Sequence, residues 1–188
     1  MDKKIFIIAG ANGSGKTTLA KELLPELSLE FVNADEIARA INPDDLQAVR
    51  VQAGKKVFKK IDEMLLQEKS FAIETTLSGN FLVKVIKQAK IQGYNTVLIY
   101  SFVDNPQICI ERIKVRVRTG GHYVPDEDVI RRYYRSKNNF WKKYKDIVDE
   151  WTVFYNGLER SILVAKGESE TIESIQEELY KFFMENIN

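Results

Sequence analysis

Two hydrophobic periods alternate along the chain. Short apolar, β-rich runs at about 4–9, 29–32, 70–73, 95–103 and 161–165 read as strands, and the stretches between them carry apolar residues every three or four positions. The longest such stretch, 45–68, puts Leu46, Val49, Ala53, Val57, Ile61 and Leu65 on one stripe between charged faces. Leu82, Val85, Ile86 and Ala89 repeat the pattern ahead of Gly93, a helix stop, and Ile172, Ile175, Leu179, Phe182 and Phe183 mark a terminal helix. Strands alternating with helices predict a three-layer α/β fold, a mainly parallel five-stranded sheet with helices on both faces. In such sheets ligands bind beyond the carboxyl ends of the strands, so the residues just after each strand are the ones to inspect for chemistry.

Composition fits this picture. A chain of 188 residues, 44% hydrophobic, suits one compact domain spanning 1–188. Its one cysteine, Cys109, excludes an internal disulfide and gives no metal cluster. No apolar stretch reaches the ~20 residues of a membrane span. The charged start Met1-Asp2-Lys3-Lys4 runs directly into a strand, unlike a signal peptide, so no membrane partner and a cytoplasmic location are expected. Charge changes the picture more. The net +1 conceals a block from Arg112 to Lys145 with eleven Lys/Arg against Asp126, Glu127 and Asp128, which is +8 locally and leaves −7 elsewhere. Such a block suits either nucleic acid or a lid closing over polyphosphate.

The first strand runs into Gly10-Ala11-Asn12-Gly13-Ser14-Gly15-Lys16-Thr17, a full G-x-x-x-x-G-K-[ST] sequence, and then into the helical pattern Thr18 to Leu24. Glycines permit backbone angles closed to other residues, so successive N–H groups can face an anion, and the helix start adds unpaired N–H groups and a positive dipole end. Ala11, Asn12, Gly13, Ser14, Gly15, Lys16, Thr17 and Thr18 are therefore expected to hold a nucleoside triphosphate. Lys16 would reach the β- and γ-phosphates and the Thr17 hydroxyl would ligate Mg²⁺. The expected architecture becomes a three-layer P-loop NTPase fold.

Later strand ends supply further candidates. Asp35, in Asn33-Ala34-Asp35-Glu36, can accept a proton from a substrate hydroxyl, hold a water on Mg²⁺, or cap a helix. Glu74 ends an apolar run, where an unpaired carboxylate is costly, so a metal, a substrate hydroxyl or an arginine is expected to pair with it. Thr75, Thr76 and Ser78 suit a polar substrate wall or the cap of a helix beginning near Asn80. Asp104-Asn105-Pro106 reads as a helix start. In the basic block, helical spacing puts Arg112 beside Arg116 and Lys114 beside Arg118, and Gly120-Gly121 interrupts before a helix bearing Arg131, Arg132 and Arg135. Two arginine-bearing helices on a glycine hinge make a lid, about 106–146, able to bring positive charge to a transferring phosphoryl group. His122, the sole histidine, lies at that hinge.

The phosphate loop, Phe31-Val32-Asn33-Ala34-Asp35, Ile73-Glu74-Thr75-Thr76 and above all Arg118-Thr119-Gly120-Gly121-His122-Tyr123-Val124-Pro125 resemble the zeta-toxin-like P-loop kinases over nearly the whole chain, in a bacterial subgroup with a G-G-H-x-V-P lid segment. The resemblance implies γ-phosphoryl transfer from ATP or GTP, with Mg²⁺, to the sugar hydroxyl of a UDP-N-acetylhexosamine, and an antitoxin as candidate partner. It makes Asp35 the general base and assigns Glu74 and Thr76 to substrate. Arg116 or Arg118 corresponds to the first lid arginine, and Arg112 sits one turn before Arg116 on the nucleotide side. His122 occupies the place of the second lid arginine, so either it is protonated, Arg132 or Arg135 substitutes, or the substrate differs. Two other classes share the loop. A nucleic-acid ATPase or polynucleotide 5′-kinase would use the basic block with Tyr133, Tyr134, Phe140, Trp141 and Tyr144 as a groove. A nucleoside or nucleotide kinase would differ only in its acceptor pocket. The triplet Leu77-Ser78-Gly79 does not make the chain a transporter ATPase, since it directly follows a strand.

Overall fold

The structure is a computed structural model that describes residues 3–23, 29–46, 48–157, 160–168, 171–185 and 187. Met1, Asp2 and the expected helical residue Leu24 lie outside the described residues. The elements run β1 (Lys4–Ala9), α1 (Lys16–Leu23), β2 (Glu30–Asn33), α2 (Ala34–Ile41), α3 (Arg50–Leu66), β3 (Phe71–Thr75), α4 (Phe81–Ile91) and β4 (Asn95–Phe102). Then follow α5 (Pro106–Arg118), α6 (Asp126–Asn139), a π-helical turn (Phe140–Tyr144), β5 (Glu150–Tyr155), β6 (Ile162–Glu168), β7 (Thr171–Ser174) and α7 (Glu177–Met184).

One sheet in the order β2-β3-β1-β4-β5-β6-β7 carries the fold. The first five strands in this order pair in parallel, and β6 and β7 add on antiparallel. Both faces are covered because alternate residues of β1 face opposite layers. Ile5, Ile7 and Ala9 join the large cluster containing α3, α4 and α7 residues, while Ile8 packs with Leu19 and Ala20 of α1 and Ile99 of β4. The three expected layers are therefore present, with seven strands rather than five.

The two unforeseen strands had different reasons to be missed. β5 buries Trp151, Val153 and Tyr155 but intersperses Glu150 and Thr152, and it follows directly on 142–149, where five of eight residues are charged. β7 is a four-residue edge strand exposed at every position, so it has no burial period to read. Ile172 therefore belongs to β7, Ile175 is exposed beyond it, and the terminal helix begins only at Glu177. The helix expected over 45–68 likewise starts at Arg50, because the Asn42 side chain accepts from Asp44 and Asp45 N–H and Asp45 accepts from Ala48 N–H, which folds that segment as a turn. Ala53, Val57, Ile61 and Leu65 form its buried stripe as expected.

The aromatic residues of the basic segment serve the core. Phe140, Tyr144 and Tyr133 are buried, and Trp141 packs edge-on against Trp151, Tyr180 and Phe183. Tyr134 is the exposed member of the set. Beside this cluster Lys137 is buried, donating from Nζ to the Glu185 carbonyl at 2.6 Å with its ammonium 5.2 Å from the Phe183 ring centre.

Burial pulls the Lys137 pKa down to about 8, with Glu185 opposing, against 10.5 in the unfolded chain. Between those values the unfolded chain binds more protons, so stability contributed here should rise with pH across that window. Lys137→Met removes the titration. The urea midpoint of the parent should gain on that of Lys137→Met as pH rises from about 8 towards 10.5, whereas a constant gap would contradict the assignment.

Candidate active site

The phosphate loop leaves β1 at Ala9 and enters α1 at Lys16. It is clamped from behind. The Ser14 carbonyl accepts from Ser101 Oγ at 2.7 Å and from Asn156 Nδ2 at 3.0 Å. Gly13, at φ +82°, passes so close to α5 that a Cβ would lie 2.5 Å from the Cys109 carbonyl, and a Cβ on Gly15, at φ +90°, would lie 1.8 Å from Asn156 Nδ2. Cys109 itself is a packing residue, its thiol pushed up to about 11 by burial. Because α1 begins at Lys16, the N–H groups of its first turn are those a helix leaves unpaired, aimed out of the carboxyl end of β1.

A cavity of about 250 Å³ opens over this loop, lined by Lys16, Thr17, Asp35, Glu74, Arg112 and Arg116 together with the loop backbone and Thr18. Lys16 is buried, with Nζ 2.9 Å from the Ala11 carbonyl and 3.9 Å from Glu74 Oε1. Burial lowers its pKa, while the Glu74 and Asp35 carboxylates hold it up. Glu74 Oε2 also accepts from the Thr17 hydroxyl at 2.8 Å. The partners of Glu74 are thus the loop's own lysine and threonine rather than an arginine, which turns this carboxylate towards the phosphate side.

Asn33, not Asp35, caps α2. Its Oδ1 accepts from Asp35 N–H at 2.8 Å and Glu36 N–H at 3.3 Å. The Asp35 carboxylate is therefore released from capping and stands in the helix's first turn, its side chain 48% exposed. Its Oδ2 lies 3.4 Å from Nε2 of His122, whose side chain is 12% exposed. Burial lowers the His122 pKa, Asp35 raises it, and Arg116, Arg39 and Arg132 lower it further. His122 and Asp35 stand between the loop cavity and a second one of about 370 Å³, lined by Arg39, Asp44, Leu46, Val117, His122 and Tyr123.

The expected arginines separate into groups. Arg112 donates to the Asn156 carbonyl at 2.8 Å and Arg116 to the His122 carbonyl at 3.1 Å, and both line the loop cavity. The buried Nε of Arg116 and Oγ of Ser14 have no hydrogen-bond partner among the described residues. Arg132 reaches from α6 to Asn12 Oδ1 at 3.0 Å while held by Asp128 at 2.9 Å, which ties it to the phosphate loop instead of an acceptor. Arg118 is not brought to the site. Two residues beyond Arg116 it is turned about 200° around the helix, and it is exposed.

Thr75, Thr76 and Ser78 correct another expectation. Thr75 Oγ1 accepts from Leu77 N–H at 3.0 Å and the Thr76 and Ser78 hydroxyls pair at 2.8 Å, so all three brace the turn that holds buried Leu77 at φ +56°. None lines either cavity, and α4 has no side-chain cap at Asn80. Asp104-Asn105-Pro106 does start a helix, with Asn105 Oδ1 accepting from Ile108 N–H at 3.1 Å. No motif pointed to Ser101 or to Asn156. Asn156 directly follows β5, so the strand-end rule would have found it had that strand been recognised.

A family profile described as an AAA domain matches residues 5–136. An uncharacterized protein of Haemophilus influenzae is 34% identical over 133 residues, covering 71% of this chain and 94% of its own. A cytidylate kinase of Saccharolobus islandicus is 30% identical over 159 residues, covering 80% and 78%. This chain belongs to the P-loop kinase family. Solved structures agree on the fold. AvrRxo1-ORF1:-ORF2 with ATP superposes with a TM-score of 0.82 at 14% identity over 98% of this chain, which spans 64% of that one. The PezAT chromosomal toxin-antitoxin system of Streptococcus pneumoniae gives 0.67 at 16% identity, covering 98% and 79%.

Family membership makes the loop a nucleotide site, and the clamp on Gly15 becomes testable. A methyl group there meets Asn156 and requires a φ that L residues avoid, so Gly15→Ala should displace the loop. ATP affinity measured by titration calorimetry should fall about 10-fold or more, as for about 1.4 kcal/mol of lost binding, with an unchanged far-UV spectrum. Unaltered affinity would show that the loop does not hold the nucleotide in this conformation.

Proposed function

We propose that the protein transfers the γ-phosphoryl group of ATP or GTP to a hydroxyl of a small acceptor. The observation that carries this reading is the gathering of Lys16, Arg116 and Asp35 around one cavity at the carboxyl ends of the parallel strands, with the buried Arg116 Nε lacking a partner among the described residues. An anionic phosphate oxygen satisfies that N–H. The loop N–H groups and Lys16 hold the β- and γ-phosphates, and Arg112 and Arg116 hold the charge of the transferring group. Thr17 and Glu74, two oxygen donors 2.8 Å apart, suit Mg²⁺, which takes a hydroxyl and a carboxylate beside substrate phosphates. When bound, that ion would neutralise phosphate charge.

Asp35 takes the acceptor proton, the acceptor oxygen bonds to the γ-phosphorus, and the bond from that phosphorus to its bridging oxygen breaks as the nucleoside diphosphate departs. The second cavity, which adjoins Asp35 through His122, is the candidate acceptor pocket. With Tyr123 57% exposed for a flat ring, Arg39 for a phosphate and Asp44 and Asp45 for sugar hydroxyls, it suits a nucleotide sugar, as the resemblance to zeta toxins implies. The same proposal takes the chain as one kinase domain with α5 and α6 as lid. The proposal keeps the expected cytoplasmic location; no helix among the described residues is long and apolar enough to cross a membrane. An antitoxin is the candidate partner, by analogy with the PezAT system.

The cytidylate kinase relatives favour a second reading, a nucleoside monophosphate acceptor. Chemistry separates the two, because a phosphate acceptor oxygen is already ionised and needs no base. Asp35→Asn should slow transfer by ~10²-fold or more for a hydroxyl acceptor while ATP binding persists, and should leave transfer to cytidine monophosphate nearly intact. Mass spectrometry of nucleotide sugars and nucleoside monophosphates incubated with ATP identifies the acceptor. No change in Asp35→Asn with a nucleotide sugar would remove the base assignment.

A polynucleotide acceptor is disfavoured because four of the five aromatic residues its groove would need pack into the core, Tyr134 being the exposed one. Arg116→Ala tests this point. Single-turnover transfer should fall far more than ground-state ATP affinity, since a cation aimed at transition-state charge acts there selectively. Tight oligonucleotide binding whose salt slope drops by about one unit in the variant would restore the nucleic-acid reading.

A further inference from the structure

The turn between α5 and α6 does more than connect them. Thr119 ends α5 and Gly120, at φ +88°, reverses the chain, so that the Gly121 N–H donates to the Arg116 carbonyl at 2.9 Å. Gly121 then lies directly on the stem of Arg116, where a Cβ would sit 2.4 Å from Arg116 Cγ and 2.9 Å from its carbonyl oxygen. The next residue closes the arrangement from two sides. The His122 carbonyl accepts from Arg116 Nη2 at 3.1 Å, and the His122 ring presents Nε2 to Asp35 Oδ2 at 3.4 Å.

We propose that His122 is the positioning residue of Asp35 and that the Gly120-Gly121-His122 turn couples this carboxylate to Arg116, so that docking of the lid segment assembles base and phosphate-facing cation together. The proposal rests on the reading of Asp35 as the general base. A half-exposed aspartate has several rotamers open to it, and a donor on a largely buried ring selects one. With Oδ2 engaged by His122, Oδ1 is left to accept the proton of the acceptor hydroxyl. The charged groups facing the ring are Asp35 and Arg39 from α2, Arg116 from α5 and Arg132 from α6. Burial and three guanidinium groups favour a neutral imidazole against the pull of Asp35, and the proposal puts its one proton on Nε2, the nitrogen 3.4 Å from Asp35 Oδ2. His122 is then not a stand-in for a second lid arginine. It acts on the base, and cationic charge at the phosphates comes from Lys16, Arg112 and Arg116.

His122 is the single histidine of the chain, so its ring nitrogens can be followed without assignment ambiguity. In ¹⁵N-histidine NMR of the free protein the ring should be the Nε2–H tautomer near neutral pH, and Asp35→Asn should shift the Nε2 signal. A ring protonated on Nδ1 alone, or indifferent to Asp35→Asn, overturns the proposal without reference to any acceptor.

Single-turnover transfer from ATP to UDP-N-acetylglucosamine gives the second arm. His122→Ala should lower the rate about 10- to 100-fold, the scale of a misplaced catalytic group, with ATP affinity unchanged. His122→Gln, whose side-chain amide can donate to Asp35, should recover several-fold of that loss. In the Asp35→Asn background His122→Ala should cost little more, because the two residues act as one unit.

Loss of ATP affinity in parallel with rate, a Gln variant no better than Ala, or full additivity with Asp35→Asn would each overturn the positioning role while leaving the base reading intact. A parent-like rate in Asp35→Asn would overturn the base reading and the proposal with it.

Discussion

The anchoring of the Ser14 carbonyl is the constraint on which the site depends. Two side chains from different strand ends, Ser101 on β4 and Asn156 after β5, donate to this one oxygen. A loop whose carbonyl is held inward has its N–H groups left to turn outward, which is the condition for gripping an anion with backbone. The clamp also explains where glycine is needed. Asn156 can reach Ser14 only by crossing the space a Gly15 side chain would take, and α5 can close on the loop only across Gly13. The central strands, the loop and the first arginine-bearing helix are thus fixed to one another before any ligand contributes.

Electrostatics follow from that packing. A buried ammonium at Lys16 is costly alone, and Glu74 supports it from 3.9 Å while also holding the Thr17 hydroxyl. Across the cavity Arg112 and Arg116 are held through backbone carbonyls rather than carboxylates. Their charge is oriented but not neutralised, which is what an incoming polyphosphate requires. Arg132 differs, since Asp128 pairs with it and its other nitrogen steadies Asn12.

How much of this could be read in advance depended on how local the determining signal was. The phosphate loop, the strands β1 to β4 and the helix start at Pro106 are set by short-range pattern and steric rules, and they are found where the pattern put them. Burial periodicity failed where there was no burial, as in β7, or where charged neighbours masked it, as in β5. Residue roles were harder because they turn on which of two adjacent candidates wins a single geometric contest. Asn33 took the cap that Asp35 was also suited for, which freed the aspartate, and the helical phase chose Arg116 over Arg118. Thr75 accepts from the N–H of Leu77, the residue at left-handed φ, and Thr76 and Ser78 pair with each other across it, so all three hydroxyls are engaged within the turn. Contacts such as Asp35 with His122 span α2 and the α5–α6 turn, and no local rule relates those positions.

The character of the Asp35 neighbourhood bears on what the acceptor is. Around His122 stand three guanidinium groups, from Arg39, Arg116 and Arg132, and a field of that sign favours anions. An acceptor that arrived already ionised would use those cations directly and would be repelled by a carboxylate placed at its nucleophilic oxygen. Keeping an aspartate there, released from its capping role and with a ring nitrogen 3.4 Å away, makes chemical sense when the oxygen still carries its proton. Under the proposed function Arg39, which lines the second cavity beside Asp44 and Asp45, would be the cation open to a phosphate two or more bonds away from the reacting hydroxyl. A hydroxyl near one end and an anion towards the other is the chemical outline of a phosphorylated sugar or nucleotide sugar.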